Sequence, residues 1–197
     1  MKKFAIVSFP LLLAVFLTVP VQAQEAAKKN TTKPAPGPSE GLLKQWNNIG
    51  RKLIAMAEDF PSDKYDFKPA PTTRSFAERM IHAAAANYYF TNVALGQKPP
   101  EEEPSRDKFK DKAALIAYVR KSFEDGAVAI KARGDKGLSD PVIDPFAEDN
   151  PEIAGKEQIR LVDLAYGLVE HSGEVYGQLT VYYRAAGIVP PESRPTS

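Results

Sequence analysis

The chain has 197 residues, 43% of them apolar, with 26 Lys and Arg set against 25 Asp and Glu. Such a composition fits one domain plus tails with a single core, and its near-neutral balance speaks against nucleic acid as the main partner, which calls for a basic face. The chain has no cysteine, so disulfides and thiol nucleophiles of its own are excluded and the core must hold by packing.

The first residues read as an address. Lys2 and Lys3 precede an apolar run from Phe4 to Val19, broken only by Ser8, Pro10 and Thr18, and Val21-Gln22-Ala23 then supplies small residues at the two positions a signal peptidase reads. This is the order of a secretory signal peptide over residues 1–23, cleaved after Ala23, and it predicts export to the periplasm or beyond the cell. The run falls short of the roughly 20 residues a spanning helix needs, so no stable membrane insertion is expected after cleavage. Cleavage removes Lys2 and Lys3 and takes the formal charge from +1 to −1. Residues 24–40 are rich in Ala, Lys, Thr, Pro and Gly and read as a flexible linker.

Four segments with helical periodicity follow over residues 41–194. The first spans about 41–60, with Leu42, Trp46, Ile49, Leu53, Ala57 and Phe60 on one face and Ser39 and Glu40 placed to cap its start. The loop to the next segment contains Lys64-Tyr65-Asp66-Phe67-Lys68-Pro69. The second segment spans about 73–95, capped by Thr72 or Thr73. Phe76, Met80, Ala83, Asn87, Phe90 and Ala94 form its stripe, and Gly96 and Pro99-Pro100 stop it. Glu101-Glu102-Glu103 beside those prolines reads as a solvated loop.

The third segment spans about 111–133, with Leu115, Val119, Phe123, Ala127 and Ile130 inward and Gly134 as its end. The fourth spans about 156–186, with Leu164, Leu168, His171, Val175, Gln178 and Tyr182 on one side and Gly187 after it. Between these two, residues 134–155 are acidic and proline-broken, and so long a connection implies a crossover along the bundle or a lid over one end. No strand pattern of any length is evident. The fold predicted is all-α, a four-helix bundle with a long connection between helices 3 and 4.

The chain has two histidines, His82 and His171, each inside a predicted helix. His171 lies on the apolar side of the fourth helix, and His82 sits toward Ala86, Tyr89 and Val93 on the second. Buried imidazoles need partners for both nitrogens, and a metal between the two helices would supply one to each. On residue type alone, two histidines on separate helices are more often hydrogen-bonded side chains than ligands. Trp46 reads as core. Tyr182 and Tyr183 are expected to divide between core and surface, and Arg74 to line a site mouth with Lys64 and Tyr65 or to pair with Asp66. No phosphate-binding glycine loop or nucleophile elbow occurs.

Several motifs in order nonetheless resemble one family. These are Lys64-Tyr65-Asp66-Phe67-Lys68-Pro69, the run from Arg74 to His82, and the stretch from His171-Ser172-Gly173-Glu174 through Tyr182-Tyr183-Arg184 to Pro190-Pro191. Together they resemble the DinB-like (DinB/YfiT) superfamily over residues 41–194. The resemblance implies a four-helix bundle, frequent homodimers, and a divalent metal, commonly zinc or nickel, held by three histidines. One of these comes from the second helix and two, spaced four apart, from the fourth. Some members are thiol-dependent transferases or isomerases acting on small molecules.

Carried over by position, His82 matches the second-helix ligand and His171 the first of the fourth helix, but the remaining position is Val175, which has no lone pair. Glu174, three residues after His171, is the candidate replacement, and Glu78, four before His82, is likewise a helix neighbour of its histidine; as a helix glutamate, Glu174 is more often a solvated surface charge. A set of two histidines and one carboxylate would suit iron, manganese or zinc. Two readings stay open. One is an exported metal-dependent transferase or hydrolase acting on a small molecule. The other is a binding or structural module that has kept the bundle and lost the metal.

Overall fold

The computed structural model describes residues 35–144 and 155–195. The expected signal peptide and most of the expected linker lie outside them. Helix α1, Pro38–Asp59, starts at Gly37 with Pro38 in its first turn, where the missing N–H costs nothing. Ser39 is therefore inside the helix and not its cap. Its backbone N and hydroxyl both donate to Asp135 Oδ1, at 2.7 and 2.5 Å, which brings a carboxylate from a distant helix to the positive end of α1. Leu42, Trp46, Ile49, Leu53 and Met56 recur three or four apart and are buried, so periodicity alone identified the inner face.

Helix α2, Phe76–Ala94, is capped by Ser75 and not by Thr72 or Thr73. Ser75 Oγ accepts from the Glu78 backbone N at 3.3 Å, while Glu78 Oε2 accepts from the Ser75 backbone N at 2.5 Å, a reciprocal capping box. Helix α3, Lys112–Gly137, is capped by Asp111. It breaks at Gly134, whose φ of 59° only glycine adopts freely, and one further turn follows. Helix α4, Leu161–Ala185, begins later than periodicity predicted. The residues before it form strand β2, Gln158–Arg160, paired antiparallel with β1, Pro141–Ile143, with Val142 opposite Ile159. Three residues per strand are too few for an alternating pattern to register in the sequence.

The helices form a square in which α1 and α2 each pack against both α3 and α4. Side-chain pairs fix the directions. Trp46 meets Phe123 and Lys112 reaches the carbonyls of Glu58 and Phe60, so α1 and α3 are antiparallel. Asn87 meets Ser122 and Arg133 meets the Ala94 carbonyl, so α2 and α3 run parallel. Tyr182 reaches back to the Arg74 carbonyl, which makes α2 and α4 antiparallel.

A parallel α2–α3 pair needs a connection that returns along the whole bundle, and residues 95–111 are that crossover. The connection between α3 and α4 is long, as expected, but its two ends stay together. Leu161 N donates to Asp140 O and Val162 N to Leu138 O, both at 2.9 Å, beside the β hairpin.

The core is a single cluster in which Trp46, Phe60, Phe76, Phe90, Leu115 and Tyr183 are fully buried or nearly so. Tyr182 and Tyr183 are both buried instead of divided between core and surface. The Tyr183 hydroxyl donates to the Met56 carbonyl at 2.9 Å, which satisfies its one polar atom. Trp46 is core, as its position on the stripe predicted, and its indole N–H donates to the Phe123 carbonyl at 2.9 Å.

Candidate functional site

Because α2 and α4 are antiparallel neighbours, residues near their middles face one another. His82 and His171 meet there, with ring centroids 4.9 Å apart and planes at 77°. The two rings stand in a cavity of about 530 Å³ between these helices and the crossover. Ala85, Ala86, Tyr89, Gly167 and Leu168 give it an apolar wall, since small residues on both helices leave room. Five glutamates, Glu101, Glu102, Glu103, Glu170 and Glu174, line the rest, with no Lys or Arg among the lining residues.

Glu103 is the residue that sequence reasoning missed. The acidic run beside Pro99-Pro100 is not simply a solvated loop, because the crossover carries it over the α2–α4 groove. Glu103 Oε2 lies 2.8 Å from His82 Nδ1, and Glu103 Oε1 lies 3.2 Å from the Arg74 guanidinium. Arg74 thus pairs with Glu103 and not with Asp66, which pairs with Arg106 at 2.9 Å. Local pattern carries no trace of the contact, since Glu103 and His82 are 21 residues apart and meet only through the return path of the chain. Tyr65 is also no mouth residue. It is buried, and its hydroxyl donates to the Ala57 carbonyl.

The second imidazole is less well served. His171 Nε2 is buried with no hydrogen-bond partner, and Nδ1 lies 3.8 Å from Glu174 Oε2, too far for a hydrogen bond. Burial, and then the neighbouring His82, hold the His171 pKa below its ordinary value, so the ring is neutral at neutral pH with one lone pair unused. Arg79, one turn before His82, also disfavours the charged form of His171, and its own Nε is buried without a partner.

The remaining sequence candidates separate. Glu174 lies in the cavity wall beside His171, with its side chain 60% exposed. Glu78 is removed from the site by its capping role and sits 3.5 Å from Lys68. Gln178, expected on the His171 side, is exposed. Val175, at the family's third ligand position, is 1% exposed and apolar.

These residues do not fit a three-histidine metal centre, and among the described residues no group of three or more His, Cys, Asp or Glu side chains is placed to hold a metal ion. What they bring together instead is two imidazoles in one cleft. His82 has its Nδ1 taken by a carboxylate, which leaves Nε2 available, and His171 has a buried Nε2 with nothing bound to it.

A four-helix bundle with a parallel α2–α3 pair, and with imidazoles from α2 and α4 in one cleft, defines an all-α protein of the DinB type. The sequence model of the DinB superfamily matches residues 45–179, and the chain belongs to that superfamily. It is 26% identical over 132 residues to the uncharacterized protein YjoA of Bacillus subtilis (strain 168), an alignment covering 67% of this chain and 80% of that one. The crystal structure of a DinB-like protein (YjoA) from Bacillus subtilis shares the fold with a TM-score of 0.60 at 19% identity, covering 79% of this chain and 99% of the other.

Proposed function

We propose that the cleft between α2 and α4 is the working site of a small-molecule enzyme, and that His82 and His171 hold a divalent cation there with their Nε2 atoms. The observation that carries this reading is the meeting of the two rings at 4.9 Å, with a buried and unpartnered Nε2 on His171. A cation bound at the two imidazoles would act as a Lewis acid, polarising a substrate oxygen or acidifying a bound water or thiol. The chain's own contribution is positioning. Glu103 holds the His82 ring, the walls at Ala86, Tyr89 and Leu168 take up the apolar part of a ligand, and Glu174 is the nearby carboxylate able to complete the site or accept a proton. The five glutamates favour cationic or neutral ligands over anionic ones. Zinc, nickel, iron and manganese all accept imidazole and carboxylate ligands, and two protein nitrogens leave most of the coordination shell to water and substrate.

One observation favours a second reading. Val175 fills the third ligand position with buried apolar surface, as in a binding module that has lost the metal. Metal analysis separates the two. The mature protein, dialysed without chelator, is expected to carry zinc, nickel, iron or manganese by plasma mass spectrometry, and His171→Ala to lose it. Background metal in the wild type overturns the metal reading in favour of the module. Val175→His restores a third nitrogen and is expected to tighten binding. Export belongs to the same proposal, and Edman sequencing of the mature protein is expected to begin at Gln24.

A further inference from the structure

We propose that Glu103 is a positioning residue that fixes the tautomer and orientation of His82 and thereby makes the crossover part of the site. The carboxylate can only accept a hydrogen bond, so the 2.8 Å contact requires the proton of His82 to be on Nδ1. The lone pair is then on Nε2. The Arg74 guanidinium binds the other carboxylate oxygen at 3.2 Å and keeps Glu103 from turning away. His82 lies within α2, and Arg74 stands just before its cap with its backbone carbonyl held by the Tyr182 hydroxyl, so both ends of the clamp are anchored to the bundle. The crossover, anchored farther along by the Arg106–Asp66 ion pair, supplies the residue between them. This arrangement, a carboxylate behind an imidazole, orients histidines at metal and proton-transfer sites generally.

The inference deepens the proposed function in one respect: the freed Nε2 matters because the cleft is read as the working site. The tautomer itself follows from the hydrogen bond alone, so the two can fail separately. With two histidines in the chain, nitrogen NMR of uniformly labelled, metal-stripped protein gives two imidazole patterns, assigned by comparison with His171→Gln. In mildly alkaline buffer, His82 is expected to show a protonated Nδ1 and an unprotonated Nε2. Glu103→Ala is expected to move both nitrogens toward averaged shifts, as the two tautomers mix. The Glu103 side chain is 37% exposed and outside the core, so the variant is expected to keep its circular dichroism and melt.

Zinc titration of the same proteins is expected to show about 10–100-fold weaker binding in Glu103→Ala. An unprotonated Nδ1 on wild-type His82, or an unchanged pattern in Glu103→Ala, overturns the proposal. Wild-type protein that shows the expected tautomer and takes up no zinc overturns the metal reading and leaves this one standing. A Glu103 that served only to latch the loop would leave the His82 pattern unmoved.

Discussion

At the scale of single residues, the site turns on how the polar atoms of two imidazoles are satisfied. His82 has an acidic partner and His171 has a buried nitrogen with none, though both lie at similar depth. The lowered pKa of His171 makes folding pH-dependent in a defined direction. The unfolded chain takes up a proton near the ordinary value of 6.5, at a pH where the folded ring is still neutral. Stability is therefore full above that value, falls as the pH drops through it, and levels off once the folded ring is also protonated. Urea melts of metal-stripped protein are expected to show lower stability at pH 5.5 than at pH 7.5 through this group, and His171→Gln to remove that part of the difference. The placement of His171 was legible from its spacing on an apolar stripe, whereas His82 lies off the stripe of its helix, on the side of Ala86 and Tyr89 that lines the cleft. Glu103 was not, since three glutamates beside two prolines look the same whether they face solvent or a histidine.

At the scale of elements, boundaries depended on caps more than on periodicity. The Ser75-Phe76-Ala77-Glu78 signature of a capping box stands in the sequence, but the threonines just before it are also caps by residue type. The structure selects Ser75 because Phe76 N donates to Phe67 O and Ala77 N to Tyr65 O, which fixes the entry of the chain into α2. Ser75→Ala removes the cap and is expected to cost about 1 kcal/mol in chemical denaturation, without altering the contents of the cleft. Glu78 is held below the ordinary carboxyl range by its hydrogen bond from the Ser75 backbone, so its contribution is present above pH 4.5 and lost as the pH falls through the lowered value. The β hairpin escaped notice for a different reason. Each strand turns one residue, Val142 or Ile159, toward the core, and a single inward side chain makes no pattern.

At the scale of the whole molecule, the close approach of α1 and α3 sets the width of the bundle. A Cβ on Gly126 would lie 2.1 Å from Trp46 Cζ2, and one on Gly50 would lie 2.8 Å from Phe123 Cδ1, so both helices touch through glycine. Trp46 is fully buried, and its indole is fixed by the Phe123 carbonyl and tilted against Phe90, so it cannot move aside freely. Gly126→Ala is expected to destabilise the protein by about 1–3 kcal/mol, despite the better helix propensity of alanine. The chain has one tryptophan, so a shift in its emission reports the disturbance directly.

The sequence by itself determined that four amphipathic helices would form and which faces they would bury, because helical periodicity is local and each face is written within one segment. The same local pattern put His171 on the apolar side of its helix. Which helices run parallel, which connection crosses the bundle and which loop residue therefore meets His82 were decided only by tertiary structure. Those outcomes depend on which helix ends lie together, and contacts between distant segments leave no periodic mark on either one.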